Sequence, residues 1–133
     1  MSPDRARQTA PGASRSLRVI VADDDRDAVA MLSWLLLQEG FTVREVYRGD
    51  AVLAQVKEFS PDVVLLDIGM PGMSGYDVAR KLHAEYEAKP PVLIAVTGWD
   101  KSADQALGEI VGFTHYVTKP YDPNHLISLL KSL

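Results

Sequence analysis

The chain alternates between short unbroken apolar runs and longer stretches with helical spacing. LRVIVA (17–22) is apolar and β-branched, and DDD follows it at once. RDAVAMLSWLLLQEG (26–40) carries apolar residues at Ala28, Met31, Leu32, Leu35 and Leu36, the spacing of a helix, and Gly40 is a natural stop. FTVREV (41–46) predicts a strand. GDAVLAQVKEF (49–59) predicts a helix through Val52, Leu53 and Val56, broken by Ser60-Pro61. DVVLL (62–66) is a strand without alternation, so it is covered on both faces. Ser74 and Asp77 have the spacing of a capping box, opening a helix that carries Val78 and Leu82 and ends before Pro90-Pro91. VLIAV (92–96) is another apolar strand, and SADQALGEIV (102–111) is a weaker helix with Gly108 inside it. FTHYVT (113–118) is the last strand. HLISLLKSL (125–133) is the closing amphipathic helix, with Asp122 as its N-cap and Pro123 at the first helical position.

Five strands thus alternate with five helices. Continuous apolar strands in that alternation predict an α/β fold, a five-stranded parallel sheet with helices on both faces. There are no internal repeats and no interdomain linker. With 133 residues the chain makes one compact domain. Residues 1–16 hold few apolar residues, two Pro and one Gly, which predicts a disordered tail ahead of a folded domain at 17–133.

Composition narrows the classes. No run of about 18 apolar residues exists, so no membrane span is expected; the longest block, Ala28–Leu37, is interrupted by Ser33. The tail has no apolar signal core. The absence of cysteine excludes disulfides, thiolate metal sites and thiol nucleophiles, and it fits a reducing, cytoplasmic setting. The formal charge is −4; the first sixteen residues carry three Arg and one Asp, which leaves −6 on the domain and argues against direct contact with nucleic acid.

In an open parallel sheet, ligands bind at the carboxyl ends of the strands. At those ends stand Asp23, Asp24 and Asp25, then Asp67, then Thr97, then Lys119; the second strand ends in Tyr47, with no obvious chemistry. Carboxylates crowded together raise one another's pKa unless a cation sits among them, and a lone lysine cannot neutralise three. Oxygen donors without His or Cys suit a hard divalent ion, Mg²⁺ before Ca²⁺ or Mn²⁺, which completes its shell with phosphate oxygen. A hydroxyl and an ammonium opposite would serve the remaining phosphoryl oxygens. Asp67 would then attack phosphorus and carry the phosphoryl as an acyl phosphate. Gly69 can offer its carbonyl to the metal, and Pro71-Gly72 turns the chain out of the site.

Taken singly, each residue has a plainer role. Asp25 suits a helix N-cap, Asp23 a loop acid, Thr97 an ordinary strand end and Lys119 a solvated lysine. Their convergence on one sheet edge is the signal. His83, His115 and His125 lack ligand spacing, Met70 and Met73 suit loop packing, and neither nucleotide-binding glycine motif occurs. Trp99 is expected to be exposed near the site.

VIVADDD, VVLLDIGMPGMSG, AVTGW and YVTKPY together resemble the receiver domain of bacterial two-component response regulators. The intervals match as well: 43 residues from Asp24 to Asp67, 30 more to Thr97 and 22 more to Lys119. The resemblance covers residues 17–133. It implies a doubly wound (βα)5 flavodoxin-like three-layer sandwich with strand order 2-1-3-4-5. It implies that Asp67 is the phosphoacceptor, that Asp24 ligates Mg²⁺ (or Mn²⁺) directly and Asp23 through water, and that the Gly69 carbonyl is a further ligand. Thr97 matches the hydroxyl that follows the phosphoryl group, Lys119 the lysine that contacts it, and the Lys119–Pro120 bond one that is usually cis. Tyr116 matches the aromatic that swings inward as the face of the fourth helix, fifth strand and fifth helix switches. Gly108 would leave the fourth helix marginally stable.

The implied function is a phosphorylation-dependent signalling switch, not an enzyme. Its partners would be a sensor histidine kinase or histidine phosphotransfer protein, a downstream effector, and a second copy in a phosphorylation-dependent dimer. Departures are mild: Gly98 stands where alanine is commoner, and Gly69 and Trp99 occupy the positions that tune phosphoryl lifetime. VGFTHYVTKP also looks like receivers attached to hybrid sensor kinases, and the tail after Met1 suggests that the receiver begins its protein. Two rivals stand beside this expectation. An aspartate-nucleophile phosphohydrolase of the haloacid dehalogenase kind would need an acid where Gly69 stands and a cap domain. A receiver-like module that docks without phosphorylation usually loses one of the site residues, and all are kept here.

Overall fold

The computed structural model describes residues 16–98 and 112–133. The expected helix 102–111, with Gly108, lies outside the described residues, as do Trp99 and all but the last residue of the expected tail. The strands are β1 (Arg18–Ala22), β2 (Thr42–Val46), β3 (Val63–Asp67), β4 (Val92–Thr97) and β5 (Phe113–Thr118). The helices are α1 (Arg26–Gln38), α2 (Gly49–Phe59), α3 (Gly75–Glu85) and, closing the chain, α4 (Pro123–Lys131). All strand pairs are parallel, in the order β2-β1-β3-β4-β5.

The unbroken apolar strands are explained by two cores, one on each face. Val19, Val21, Val63, Leu65, Ile94 and Val96 point to a core closed by α1 and α4, through Val29, Leu32, Leu36, Leu126 and Leu130. Ile20, Ala22, Val64, Leu66, Leu93 and Ala95 point the other way, to Val52, Val56, Val78 and Leu82 of α2 and α3. Strand side chains alternate between faces, so a strand covered twice reads as continuously apolar. Each fully buried Val or Leu contributes about 1.5–3 kcal/mol.

Boundaries differ from expectation in ways that matter for the site. The third strand runs one residue further than expected, so Asp67 is its last residue, paired with Val96, and not the first residue of a loop. The first helix stops at Gln38, and Gly40 takes a left-handed φ of 94°. The closing helix starts at Pro123 behind the Asp122 cap, as expected, and ends at Lys131, two residues earlier than the apolar pattern suggested. A bulge near the start of β5 pairs Leu93 with Phe113 but Ile94 with His115. The skipped Thr114 resets the alternation, so Phe113 and Tyr116 share one face, with ring centroids 6.1 Å apart.

Among the described residues, three helices are capped by side chains. Asp25 accepts from the Ala28 N–H, Ser74 from Asp77, and Asp122 from Asn124. The carboxylate of Asp77 turns to Arg80 at 2.7 Å. At the start of α2, Arg48 supplies no side-chain cap.

Candidate functional site

The strand order reverses between β1 and β3, which opens a crevice beyond their carboxyl ends. Asp23 extends β1, its N–H donating to the Val46 carbonyl at 3.0 Å, and Asp67 closes β3. Thr97 closes β4, and the Lys119 N–H donates to the Thr97 carbonyl at 2.7 Å. Sheet pairing alone therefore brings four side chains from distant parts of the sequence to one edge.

Lys119 lies between two acids. Its Nζ is 2.8 Å from Asp23 Oδ2 and 3.3 Å from Asp67 Oδ2. Asp23 also accepts from the Asp25 N–H at 3.0 Å, and Asp67 from the Gly69 N–H at 3.0 Å. Asp67 is 9% exposed and Asp23 7%. Burial works against the charge of each, with opposite outcomes. At Asp23 the hydrogen bonds from Lys119 and Asp25, and the charge of Lys119, outweigh burial and hold the carboxyl below its ordinary value. At Asp67 burial wins over the Gly69 N–H, and the neighbouring charge of Asp23 pushes the carboxyl further up. Lys119 is itself pushed up: burial opposes its charge, but the hydrogen bond to Asp23 and the charges of both acids prevail.

One oxygen from each of Asp23, Asp24 and Asp67 lies within 4.8 Å of the others, with Asp24 exposed. Two charges at that distance repel by about 3 kcal/mol at an effective dielectric near 20, and solvent reduces the share of Asp24. Three carboxylates against one ammonium leave an excess of negative charge. An all-oxygen donor set with that excess fits a hard divalent cation.

Two expected site residues sit apart from this cluster. The Thr97 hydroxyl donates to the Gly98 carbonyl at 2.7 Å. Tyr116 is half-buried on β5 and packs with Phe113 against the α2/α3 core. The Lys119–Pro120 bond is cis. Asp25 serves as the cap of α1, the plainer of its two roles.

Two features escaped the sequence motifs. A groove of about 520 Å³ runs from Asp23 and Lys119 past Pro120 and Tyr121 to Met31 and Leu35. Burial, then the charge of Asp23, pushes the Tyr121 phenol up. Beside the groove α1 exposes Met31 (64%) and Trp34 (60%). Because α1 is apolar almost all round, spacing alone could not say which residues face out. Just after β2 the Arg26 guanidinium stacks 3.9 Å over the Tyr47 ring, whose hydroxyl donates to Glu45 at 2.5 Å and is pushed up by that bond.

The model of the response regulator receiver domain matches residues 19–131. RegX3 of Mycobacterium tuberculosis, a sensory transduction protein, is 37% identical over 115 residues, covering 86% of this chain and 49% of that one. The chain thus spans about half the length of the curated relatives it matches. Among solved structures, chemotaxis response regulator CheY4 of Vibrio cholerae superposes with a TM-score of 0.81 at 25% identity, covering 88% of this chain and 98% of that one. A response regulator signal receiver domain from Bermanella marisrubri gives 0.80 at 29% identity, covering 89% and 98%. The matched model spans nearly the whole folded region, and the crevice, the acids and the lysine fall within it: the chain belongs to the response regulator receiver domain family.

Proposed function

We propose that Asp67 accepts a phosphoryl group from a histidine kinase or histidine phosphotransfer protein, and that the resulting acyl phosphate switches a signalling surface. The observation that carries this is the Lys119 ammonium held between two buried carboxylates, 2.8 Å from Asp23 and 3.3 Å from Asp67. Receiver domains act as phosphoacceptor signalling modules and not as turnover enzymes. Asp24, Asp67, the Gly69 carbonyl and, through water, Asp23 would hold Mg²⁺, with Mn²⁺ as a substitute. When bound, the ion supplies positive charge against the crowded acids and phosphoryl oxygens.

A carboxylate oxygen of Asp67 forms the new bond to phosphorus as the phosphorus–nitrogen bond of a phosphohistidine breaks, its electron pair returning to the imidazole. The Gly69 N–H holds Oδ1 of Asp67 in place, leaving Oδ2, on the side of Lys119, to react. Lys119 then balances the charge of the transferred group. Thr97 leaves the Gly98 carbonyl to donate to a phosphoryl oxygen, and Tyr116 moves into the space released. The face formed by β5 and α4 changes and binds or releases an effector, or pairs with a second copy.

The groove and the exposed Met31 and Trp34 support docking of an apolar helical phosphodonor beside the acceptor. Among the described residues no helix is long and apolar enough to cross a membrane. The domain is taken as 17–133, at work in the cytoplasm without direct contact to nucleic acid. The test is intact-mass spectrometry with acetyl phosphate. A single phosphoryl gain that requires Mg²⁺ and disappears in Asp67→Asn is expected; the same gain in Asp67→Asn would sink the assignment.

A further inference from the structure

We infer that Gly49, the first residue of α2, is a positioning residue for the phosphoacceptor, acting through the loop between β3 and α3. The inference rests on Asp67 being the acceptor.

The loop leaves β3 at Ile68 and enters α3 at Gly75, and its base is closed by the Gly75 N–H donating to the Ile68 carbonyl at 3.1 Å. Its tip is held by α2. The Gly49 N–H donates to the Pro71 carbonyl at 3.0 Å. That bond satisfies one of the N–H groups that the first turn of α2 leaves without an intrahelical partner, in a helix with no side-chain cap. The helix is therefore capped by the loop that carries the phosphoacceptor chemistry, and the loop is pinned by the helix.

The contact is too close for any residue but glycine. A Cβ on Gly49 would stand 1.8 Å from the carbonyl oxygen of Met73 and 2.8 Å from its carbonyl carbon. Both atoms are backbone, so no rotamer change can relieve the clash; the loop or the helix must move. Gly49 does not have a left-handed φ, so close approach and not conformational freedom demands glycine here. The next residue of α2 makes a second fitted contact. Asp50, paired with Arg48 at 3.1 Å, lies 2.6 Å from where a Cβ of Gly72 would stand.

Between the pinned base and the pinned tip lies Gly69, whose N–H holds Asp67 Oδ1 at 3.0 Å and whose carbonyl is a proposed metal ligand. A displaced tip carries that amide with it. Misplacement of a positioned group by about 1 Å can cost about a hundredfold in rate. Gly49 thus acts on the reaction without touching a reacting atom.

The experiment compares the wild-type chain with Gly49→Ala and Gly40→Ala. Gly40 has a φ of 94° and no atom within 4 Å of an added Cβ, so Gly40→Ala costs stability through backbone strain far from the loop. Phosphoryl uptake from acetyl phosphate, the Mg²⁺ dissociation constant and the melting temperature are measured for each. Gly49→Ala is expected to lose uptake by about tenfold to a hundredfold and to weaken Mg²⁺ binding, while Gly40→Ala lowers the melting temperature and keeps uptake within about twofold. Uptake by Gly49→Ala within about twofold of wild type, or losses in both variants in proportion to melting temperature, overturns the inference alone. Wild type that neither gains phosphoryl nor binds beryllofluoride overturns the functional assignment as well. Should Gly49→Ala not fold, wild-type amide resonances decide. The Gly49 amide is expected to shift together with that of Gly69 when Mg²⁺ and beryllofluoride are added; a Gly69 shift with Gly49 unmoved overturns the inference.

Discussion

Lys119 sits closer to Asp23, at 2.8 Å, than to the acid it is proposed to assist. The bond fills a lone pair of Asp23 that a cation in the acidic cluster would also use. Lysine and divalent ion therefore compete for one carboxylate. Lys119→Met is expected to tighten Mg²⁺ binding by about three- to tenfold by removing that competitor and a like charge, while phosphoryl uptake falls sharply. Calorimetric titration with Mg²⁺ beside an uptake assay measures both. Weaker Mg²⁺ binding in the variant would show that Lys119 supports the cluster and does not compete for it.

The two buried acids differ in sign, and pH exposes the difference. Asp67 lies above its ordinary value of 3.8, so ionising it costs folding energy: the penalty is absent below 3.8 and sets in as pH rises through the raised value. Asp23 lies below 3.8, so its contribution to stability is present above 3.8 and is lost as pH falls through the lowered value. In metal-free buffer at pH 7, Asp67→Asn is expected to stabilise the fold and Asp23→Asn to destabilise it, each on the order of 1 kcal/mol. Denaturation from pH 7 to pH 3 should bring both variants toward wild type. Equal signs at pH 7 would contradict this electrostatic account.

Ser33 faces the core from α1, and its hydroxyl is buried with no hydrogen-bond partner among the described residues. Ser33→Ala removes an unsatisfied group and improves helix propensity at nearly constant volume. A gain of about 1 kcal/mol in urea denaturation is expected. A loss of that size would mean that the hydroxyl is satisfied in solution.

Met31 and Trp34 separate docking from chemistry. Both are more than half exposed, so the double change to Ala should alter stability by less than about 0.5 kcal/mol. Uptake from acetyl phosphate should be unchanged, while transfer from a phosphorylated histidine donor protein falls by about tenfold or more. An equal loss with both donors would place the effect in the site itself.

Much of this was legible because strand ends are where an α/β sheet gathers its chemistry. Asp23, Asp67 and Thr97 each follow or close an apolar run, which is hard to misplace, and Lys119 follows the mixed strand FTHYVT. The strand order came from family resemblance, since local pattern fixes alternation but not which strands are neighbours. Other features depend on tertiary geometry. The bulge that drops Thr114 decides which face Tyr116 takes, and a six-residue strand gives no sign of it. Met31 and Leu32 have the same helical spacing and opposite exposures. The need for glycine at 49 comes from the Met73 backbone, which no local motif encodes.

The most direct measurement locates the phosphoryl group by chemistry. Protein treated with acetyl phosphate and Mg²⁺ is reduced with borohydride, which converts an aspartyl phosphate to homoserine, and its peptides are sequenced by mass spectrometry. The account predicts homoserine at position 67 alone, absent when Mg²⁺ is withheld. Homoserine at another acid, or none in a protein that also fails to bind beryllofluoride, would contradict it.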